Sequence, residues 1–196
     1  MVTTPSTMLS LGTLAPDFRL PDTTGRMVAL DDFVDRPALL VMFICNHCPF
    51  VKHVVTELAR LGRDYQDRDV AVVAISSNDV AQYPEDGPVA MAEFAAAHAF
   101  VFPYVYDETQ AVASAYRAAC TPDPFLFDAG RRLVYRGQLD GSRPSNDVPV
   151  DGRDLRAALD ATLAGMSVPE PQLPSQGCNI KWKPGLQPEY VSLGQR

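Results

Sequence analysis

Two cysteines stand three residues apart in Phe43-Ile44-Cys45-Asn46-His47-Cys48-Pro49-Phe50. Such a pair beside an alternating strand–helix pattern suits thiol redox chemistry. The thiolate is the reactive form, and a helix N-terminus favours it, because unpaired N–H groups and the positive end of the helix dipole face the sulfur. Cys48 directly precedes a helical pattern opening at Pro49, so it is expected to be the nucleophile. Cys45 is its expected redox partner, and a gap-filling strand-end cysteine is the bland reading. His47 titrates near neutrality and is a candidate proton donor to a leaving thiolate, or a plain surface histidine. Cys45, His47 and Cys48 also form a soft ligand set, which would need Cys120 or Cys178 to close a tetrahedron. Adjacent ligands at His47 and Cys48 make that closure awkward. No metal and no cofactor are therefore expected.

Those residues need a strand to end at Cys45 and a helix to begin after Cys48. Ala38–Ile44 is a continuous apolar run, as in a strand covered on both faces. Beyond Pro49, Phe50, Val51, Val54, Val55, Leu58 and Leu61 recur at helical spacing, with Lys52, Glu57, Arg60 and Arg63 on the other face. Proline is tolerated at a first helical position. A second buried strand is expected over Val70–Ile75, a helix over Pro88–Ala99, a short strand over Phe102–Tyr106 and a helix over Glu108–Ala119. Pro124–Phe127 and Leu133–Arg136 read as a hairpin about Gly130. Asp154–Leu163 reads as a last helix, with Leu155, Ala158, Leu159 and Thr162 inward and Gly165 ending it. Leu14–Leu20 and Met27–Leu30 around Gly25 suggest an N-terminal hairpin. The order implies an α/β fold with a central mixed sheet and helices on both faces. From Met166 onward five prolines fall in a short stretch without period. Residues 1–165 are thus expected to form the domain and 166–196 an extended tail, mobile or wrapped on it.

The chain has 196 residues, with 17 Lys and Arg against 24 Asp and Glu and a net charge of −7. That acidity argues against a nucleic-acid partner. No apolar run approaches the ~20 residues of a membrane-spanning helix. The first residues lack the charges and apolar run of a secretory signal, so a cytoplasmic location is expected, where clustered cysteines are redox-active or metal-binding rather than structural.

Four segments carry a resemblance: Phe43–Phe50, Tyr83-Pro84-Glu85-Asp86, Cys120-Thr121-Pro122-Asp123 and Gly177-Cys178-Asn179-Ile180-Lys181-Trp182. With Ala15-Pro16-Asp17-Phe18 before them, they resemble the thioredoxin-fold superfamily, in its alkyl hydroperoxide reductase and thiol-specific antioxidant (peroxiredoxin-like) branch. More narrowly they resemble a bacterial thioredoxin-family group carrying this Cys-Asn-His-Cys-Pro-Phe motif. The resemblance implies a thioredoxin-like fold and places Cys48 where the attacking cysteine belongs. It implies a cis bond at Thr121–Pro122, in a loop that faces this cysteine and can receive a substrate backbone. Thr121, Pro122, Pro49 and His47 are accordingly the substrate-side candidates. It also makes Cys178 a possible resolving cysteine, the alternative being that Gly177-Cys178 and Trp182 anchor the tail, and Cys120 a neighbour of the site with the same possible part, the alternative being a buried helix-end cysteine. The departures matter equally. Val51 stands where thioredoxins have their second cysteine, Met42 where they have a buried acid, and Cys45 where peroxiredoxins have threonine. Arg136 and Arg143 are candidate holders of a peroxide oxygen; His53 and His98 are expected to be helix residues without chemistry.

The expected activity is thiol–disulfide exchange, with thiol peroxidase activity as the alternative. A metal-binding module and a catalytically idle interaction domain are further alternatives. The partners are a disulfide or peroxide substrate and an external thiol reductant; the sequence does not give the oligomeric state. On oxidation Cys45 is expected to join Cys48, with Cys178 as its rival.

Overall fold

A computed structural model describes residues 3–193. Its central sheet has five strands in the order β6-β5-β4-β8-β9, where β4 is Ala38–Phe43, β5 Ala71–Ser76, β6 Tyr104–Tyr106, β8 Asp123–Asp128 and β9 Leu133–Arg136. β4 pairs parallel with β5 and antiparallel with β8. Every residue of β4 is buried, for the reason its apolar run suggests. Leu40 and Met42 pack on one side, among Val54, Leu58, Leu61, Leu155 and Leu159. Leu39, Val41 and Phe43 pack on the other, among Val73, Ile75, Tyr116, Phe125 and Phe127. A strand whose two faces both meet a core has no solvent side on which to alternate.

The first side is covered by α1 (Pro49–Gln66), α2 (Pro88–Ala97) and α4 (Arg153–Leu163). The second is covered by α3 (Ala111–Ala115) and by the hairpin of β2 (Arg19–Pro21) and β3 (Met27–Ala29). Helix α3 is much shorter than the expected Glu108–Ala119. Gln110 before it has φ 62° and Arg117 after it φ 52°, so left-handed residues bound it on both sides. The chain must straighten at Ala118–Ala119 to reach β7 (Cys120–Thr121), and good helix propensity yields to that demand. Glu57 also departs from expectation. It is buried rather than solvated, and pairs with Arg60 at 2.8 Å and Arg156 at 2.6 Å. Thr162 is only half-buried; Ala161 takes the inward place on α4.

The stretch after Gly165 packs on the domain. Its strand β10 (Gln176–Asn179) lies between β1 (Thr4–Pro5) and β7, antiparallel to both. No helix among the described residues is long and apolar enough to cross a membrane.

Candidate active site

Cys48 is the residue before α1, with extended backbone at φ −63° and ψ 121°, and Pro49 opens the helix. Strand β4 ends two residues before Cys45, so both cysteines lie in the turn that joins sheet to helix. Both are buried, and all four cysteines are free thiols. As a thiol, Cys48 donates to the Thr121 carbonyl at 3.2 Å. As a thiolate it is held far below the ordinary cysteine range, at about 2, by hydrogen bonds from Cys178 and Cys45, against the cost of burial. The Thr121 side chain and the Val51 N–H in the first turn of α1 add to this.

One negative charge among three thiols pushes the other two up. Cys45 is raised well above its usual value by its hydrogen bond to Cys48, by burial and by the Asp86 charge. Cys178 is raised by its hydrogen bond to Cys48 and by burial. The charge therefore resides on Cys48. The Cys45 sulfur also lies 3.5 Å from Thr121 Oγ1 and 4.0 Å from His47 Nδ1.

The register of β10 brings Cys178 here, opposite Thr121 on β7. The close approach requires glycine at the preceding position, since a Cβ on Gly177 would stand 1.9 Å from the Thr121 carbonyl oxygen. The tail is fastened on both sides: Ser6 N–H donates to the Ser175 carbonyl at 2.8 Å, and Ser175 Oγ to the Pro122 carbonyl at 2.6 Å. The Thr121–Pro122 bond is cis.

Cys120 is set apart. It is fully buried, its sulfur faces the Pro122 carbonyl at 3.7 Å, and burial with the Asp123 charge pushes its thiol well up.

Asp86 carries no expected role from sequence, yet it organises the turn. Its Oδ1 accepts the N–H groups of Asn46 at 2.8 Å and His47 at 3.2 Å. Its Oδ2 accepts from Asn78 Nδ2 at 2.7 Å and from His47 Nδ1 at 2.5 Å. Burial opposes its charge, but these donors hold its carboxyl below the usual range. His47 is raised in turn, by the hydrogen bond to Asp86 against some burial. It stacks on Tyr83, ring centroids 5.2 Å apart, and borders an open groove of about 530 Å³ with Lys52, Glu85, Glu93 and Phe94. A hollow of similar size among Asp32, Gln66 and Phe102 contains no cysteine. The Tyr83-Pro84-Glu85-Asp86 segment was a visible signal, but only its packing against the turn gives the carboxylate a task.

Ligand atoms of Cys45, His47 and Asp86 lie within 4.8 Å of one another. Asp86 is already saturated by four N–H donors, so a cation there would have to displace them. The two arginines are occupied by other groups, although Arg143 shares a small cavity with Phe50, Pro122 and Ser175. Arg136 Nε donates to the Leu9 carbonyl at 2.9 Å and Nη1 to Gln172 at 2.7 Å. Arg143 donates to Gln138 at 2.6 Å and to the carbonyls of Asp140 and Ser142. His98 packs on Phe94, ring centroids 4.5 Å apart, and His53 lies on α1.

The chain is similar over almost its whole length to two solved structures. One is an uncharacterized conserved protein from Geobacillus kaustophilus: 55% identity, TM-score 0.92, covering 94% of this chain and 98% of that one. The other is a hypothetical protein from Sinorhizobium meliloti 1021: 52% identity, TM-score 0.91, covering 93% and 100%. More distant likenesses show that the fold is thioredoxin-like. The peroxidoxin BcpB from Mycobacterium tuberculosis has 20% identity and TM-score 0.56, covering 79% of this chain and 94% of that one. No curated protein matches the chain. The AhpC/TSA family model matches residues 11–136, from before the N-terminal hairpin through β9 and across the Cys45–Cys48 turn, and the chain belongs to that family.

Proposed function

We propose that this chain is a thiol–disulfide oxidoreductase whose nucleophile is Cys48. One observation carries the reading: Cys48 stands at the start of α1 with Cys45 in the same turn and Cys178 brought beside it opposite Thr121, an arrangement that favours a thiolate on Cys48. The Cys48 thiolate attacks one sulfur of a substrate disulfide; that bond breaks and the second substrate sulfur leaves as a thiolate that takes a proton from water. Cys45 or Cys178 then loses its proton, attacks the Cys48 sulfur and expels the first substrate thiolate. The chain is left with one internal disulfide and the substrate with two thiols. An external thiol reductant restores the chain.

Peroxide reduction is the second reading, favoured by the family but less well served by these side chains. The leaving oxygen needs a positioned donor, and Cys45 stands in place of the peroxiredoxin threonine while Arg136 and Arg143 are already hydrogen-bonded to Leu9, Gln172 and Gln138. The setting we infer is the cytoplasm, whose reducing poise would keep four thiols free.

The test is turnover of a disulfide substrate with a dithiol donor, compared with turnover of hydrogen peroxide. Disulfide-dependent turnover lost in Cys48→Ser supports the proposal. Peroxide-only turnover makes the chain a peroxidase, and uniformly unreactive thiols make it an idle interaction domain.

A further inference from the structure

The nucleophile is out of reach of anything large. Cys48 and Cys120 are 0% exposed and Cys45 1%. Cys178 alone of the four is half-buried rather than buried. The side of Thr121 that could pair with an incoming strand is already paired with β10 of the same chain. A bulky partner therefore meets the tail strand and its sulfur before it meets Cys48.

We propose that Cys178 is the port through which a protein dithiol or disulfide exchanges with this chain, and that the disulfide then moves inward from Cys48–Cys178 to Cys45–Cys48. This rests on Cys48 being the nucleophile, and adds where the partner reacts and in what order the three sulfurs act.

Three features carry it. First, Cys48 is the hub: Cys45 stands three residues before it in the same turn, and β10 sets Cys178 opposite Thr121, whose carbonyl the Cys48 sulfur faces at 3.2 Å, so the fold already brings both thiols to its side. Second, β10 is fixed rather than loosely laid, by Gly177 against the Thr121 carbonyl and by Ser175 on both of its neighbours. Third, the chemistry of exchange agrees with the access. In a Cys48–Cys178 disulfide, attack at the outer sulfur expels Cys48 at the start of α1, where Cys45, the Thr121 side chain and the Val51 N–H still support its thiolate after Cys178 has lost its hydrogen, and a supported thiolate leaves faster.

The steps balance. A partner thiolate attacks the Cys178 sulfur; the Cys48–Cys178 bond breaks, a Cys178–partner mixed disulfide forms, and Cys48 leaves as a thiolate. The partner's second thiol loses its proton and attacks the partner sulfur of the mixed disulfide. Cys178 leaves and takes a proton, so the partner ends oxidised by two electrons and the chain reduced by two. In the reverse sequence Cys178 passes its proton to Cys48 and attacks one sulfur of the protein disulfide; the other partner sulfur leaves and takes that proton, and the restored Cys48 thiolate attacks the Cys178 sulfur and expels the remaining partner thiolate, so the chain is oxidised by two electrons and the partner reduced by two. The inward shift has no net redox change: Cys45 gives up a proton and attacks Cys48, the Cys48–Cys178 bond breaks, and Cys178 takes up a proton.

The experiment compares full-length wild type, Cys45→Ser, Cys178→Ser and Cys48→Ser. Each is mapped for disulfides after one equivalent of diamide, then assayed with insulin as a bulky disulfide and with 2-hydroxyethyl disulfide as a small one. Cys45→Ser should yield Cys48–Cys178, and Cys178→Ser should yield Cys45–Cys48. Exchange with insulin should fall at least about tenfold in Cys178→Ser, a barrier increase of about 1.4 kcal/mol, with a much smaller change for the small disulfide. Gly177→Ala, which pushes β10 off Thr121, should weaken Cys48–Cys178 formation while sparing Cys45–Cys48. Wild-type insulin exchange in Cys178→Ser, or no Cys48–Cys178 bond in Cys45→Ser, overturns the port. If Cys48→Ser itself keeps insulin exchange, the proposed function fails, which is a separate outcome.

Discussion

Asp86 accepts the Nδ1 hydrogen of His47 at 2.5 Å from a turn 39 residues further along the chain, and with Oδ1 holds the backbone of the Cys45–Cys48 turn. The carboxylate is 0% exposed, so its charge is tolerated only because four N–H groups meet it. Asp86→Asn keeps the shape and removes the charge, and is expected to cost roughly 1.5–3 kcal/mol, the worth of charge-assisted hydrogen bonds. His47 should titrate lower in that variant, by NMR of its ring protons. The sign follows from its raised pKa. The stabilisation is full below the ordinary 6.5 and is lost as pH rises through the folded value, and Asp86→Asn should lose that dependence. An unmoved His47 titration would show that the pair is not coupled.

Cys48 should remain a thiolate far into acid, down to about 2, because Cys178 and Cys45 donate to it. Iodoacetamide labelling of the folded protein, followed cysteine by cysteine, should therefore be fastest at Cys48 and nearly flat with pH across the neutral range. Cys45 and Cys178, both raised, should label only at alkaline pH. Labelling of Cys48 that climbs with an ordinary thiol midpoint would contradict the charge distribution.

Asp123, next to the cis-proline, is 0% exposed, and its Oδ1 has no hydrogen-bond partner among the described residues. Burial pushes its carboxyl from 3.8 up to about 7. The folded state thus holds a proton that the unfolded state releases, so stability falls as pH rises from 3.8 to about 7. Asp123→Asn should remove this fall and raise stability at pH 8 by a few kcal/mol at most, on the order of 1.4 kcal/mol for each tenfold gain in proton affinity on folding. Chemical denaturation across pH reads it directly; equal slopes for the two proteins would refute it.

Glu57 on α1 is buried between Arg60 and Arg156. Glu57→Ala should destabilise the fold by roughly 1.5–3 kcal/mol, the worth of charge-assisted hydrogen bonds, since it removes the buried partner of Arg156 and leaves that arginine, among the described residues, only Asp64 at 2.8 Å. Activity per folded molecule should be unchanged, because Glu57 stands more than two turns along α1 from Cys48 and Arg156 lies on α4. A loss of specific activity without a loss of stability would place this pair in the mechanism.

The turn that carries Cys45 and Cys48 was legible in the sequence because its causes are local. An apolar run long enough to be covered on both faces, then Pro49, then helical periodicity specify a strand, a turn and a helix wherever the chain is found. Other features depended on contacts far apart in sequence. Glu57 follows the polar periodicity of α1, and Arg156 from α4 joins Arg60 of its own helix in letting it be buried. Glu108–Ala119 has helical propensity throughout, but the path to β7 cuts the helix short. Asp86 gains its role by packing under a turn 39 residues earlier. Cys178 sits in a Pro-rich stretch without period, and a four-residue strand has too few residues to show one. Its place beside Cys48 comes from pairing with Thr121 and from the missing side chain at Gly177. The sequence by itself determined which sulfur opens a helix; the tertiary structure decided which thiols, and which distant carboxylate, surround it, because those contacts are set by strand register and packing rather than by neighbours along the chain.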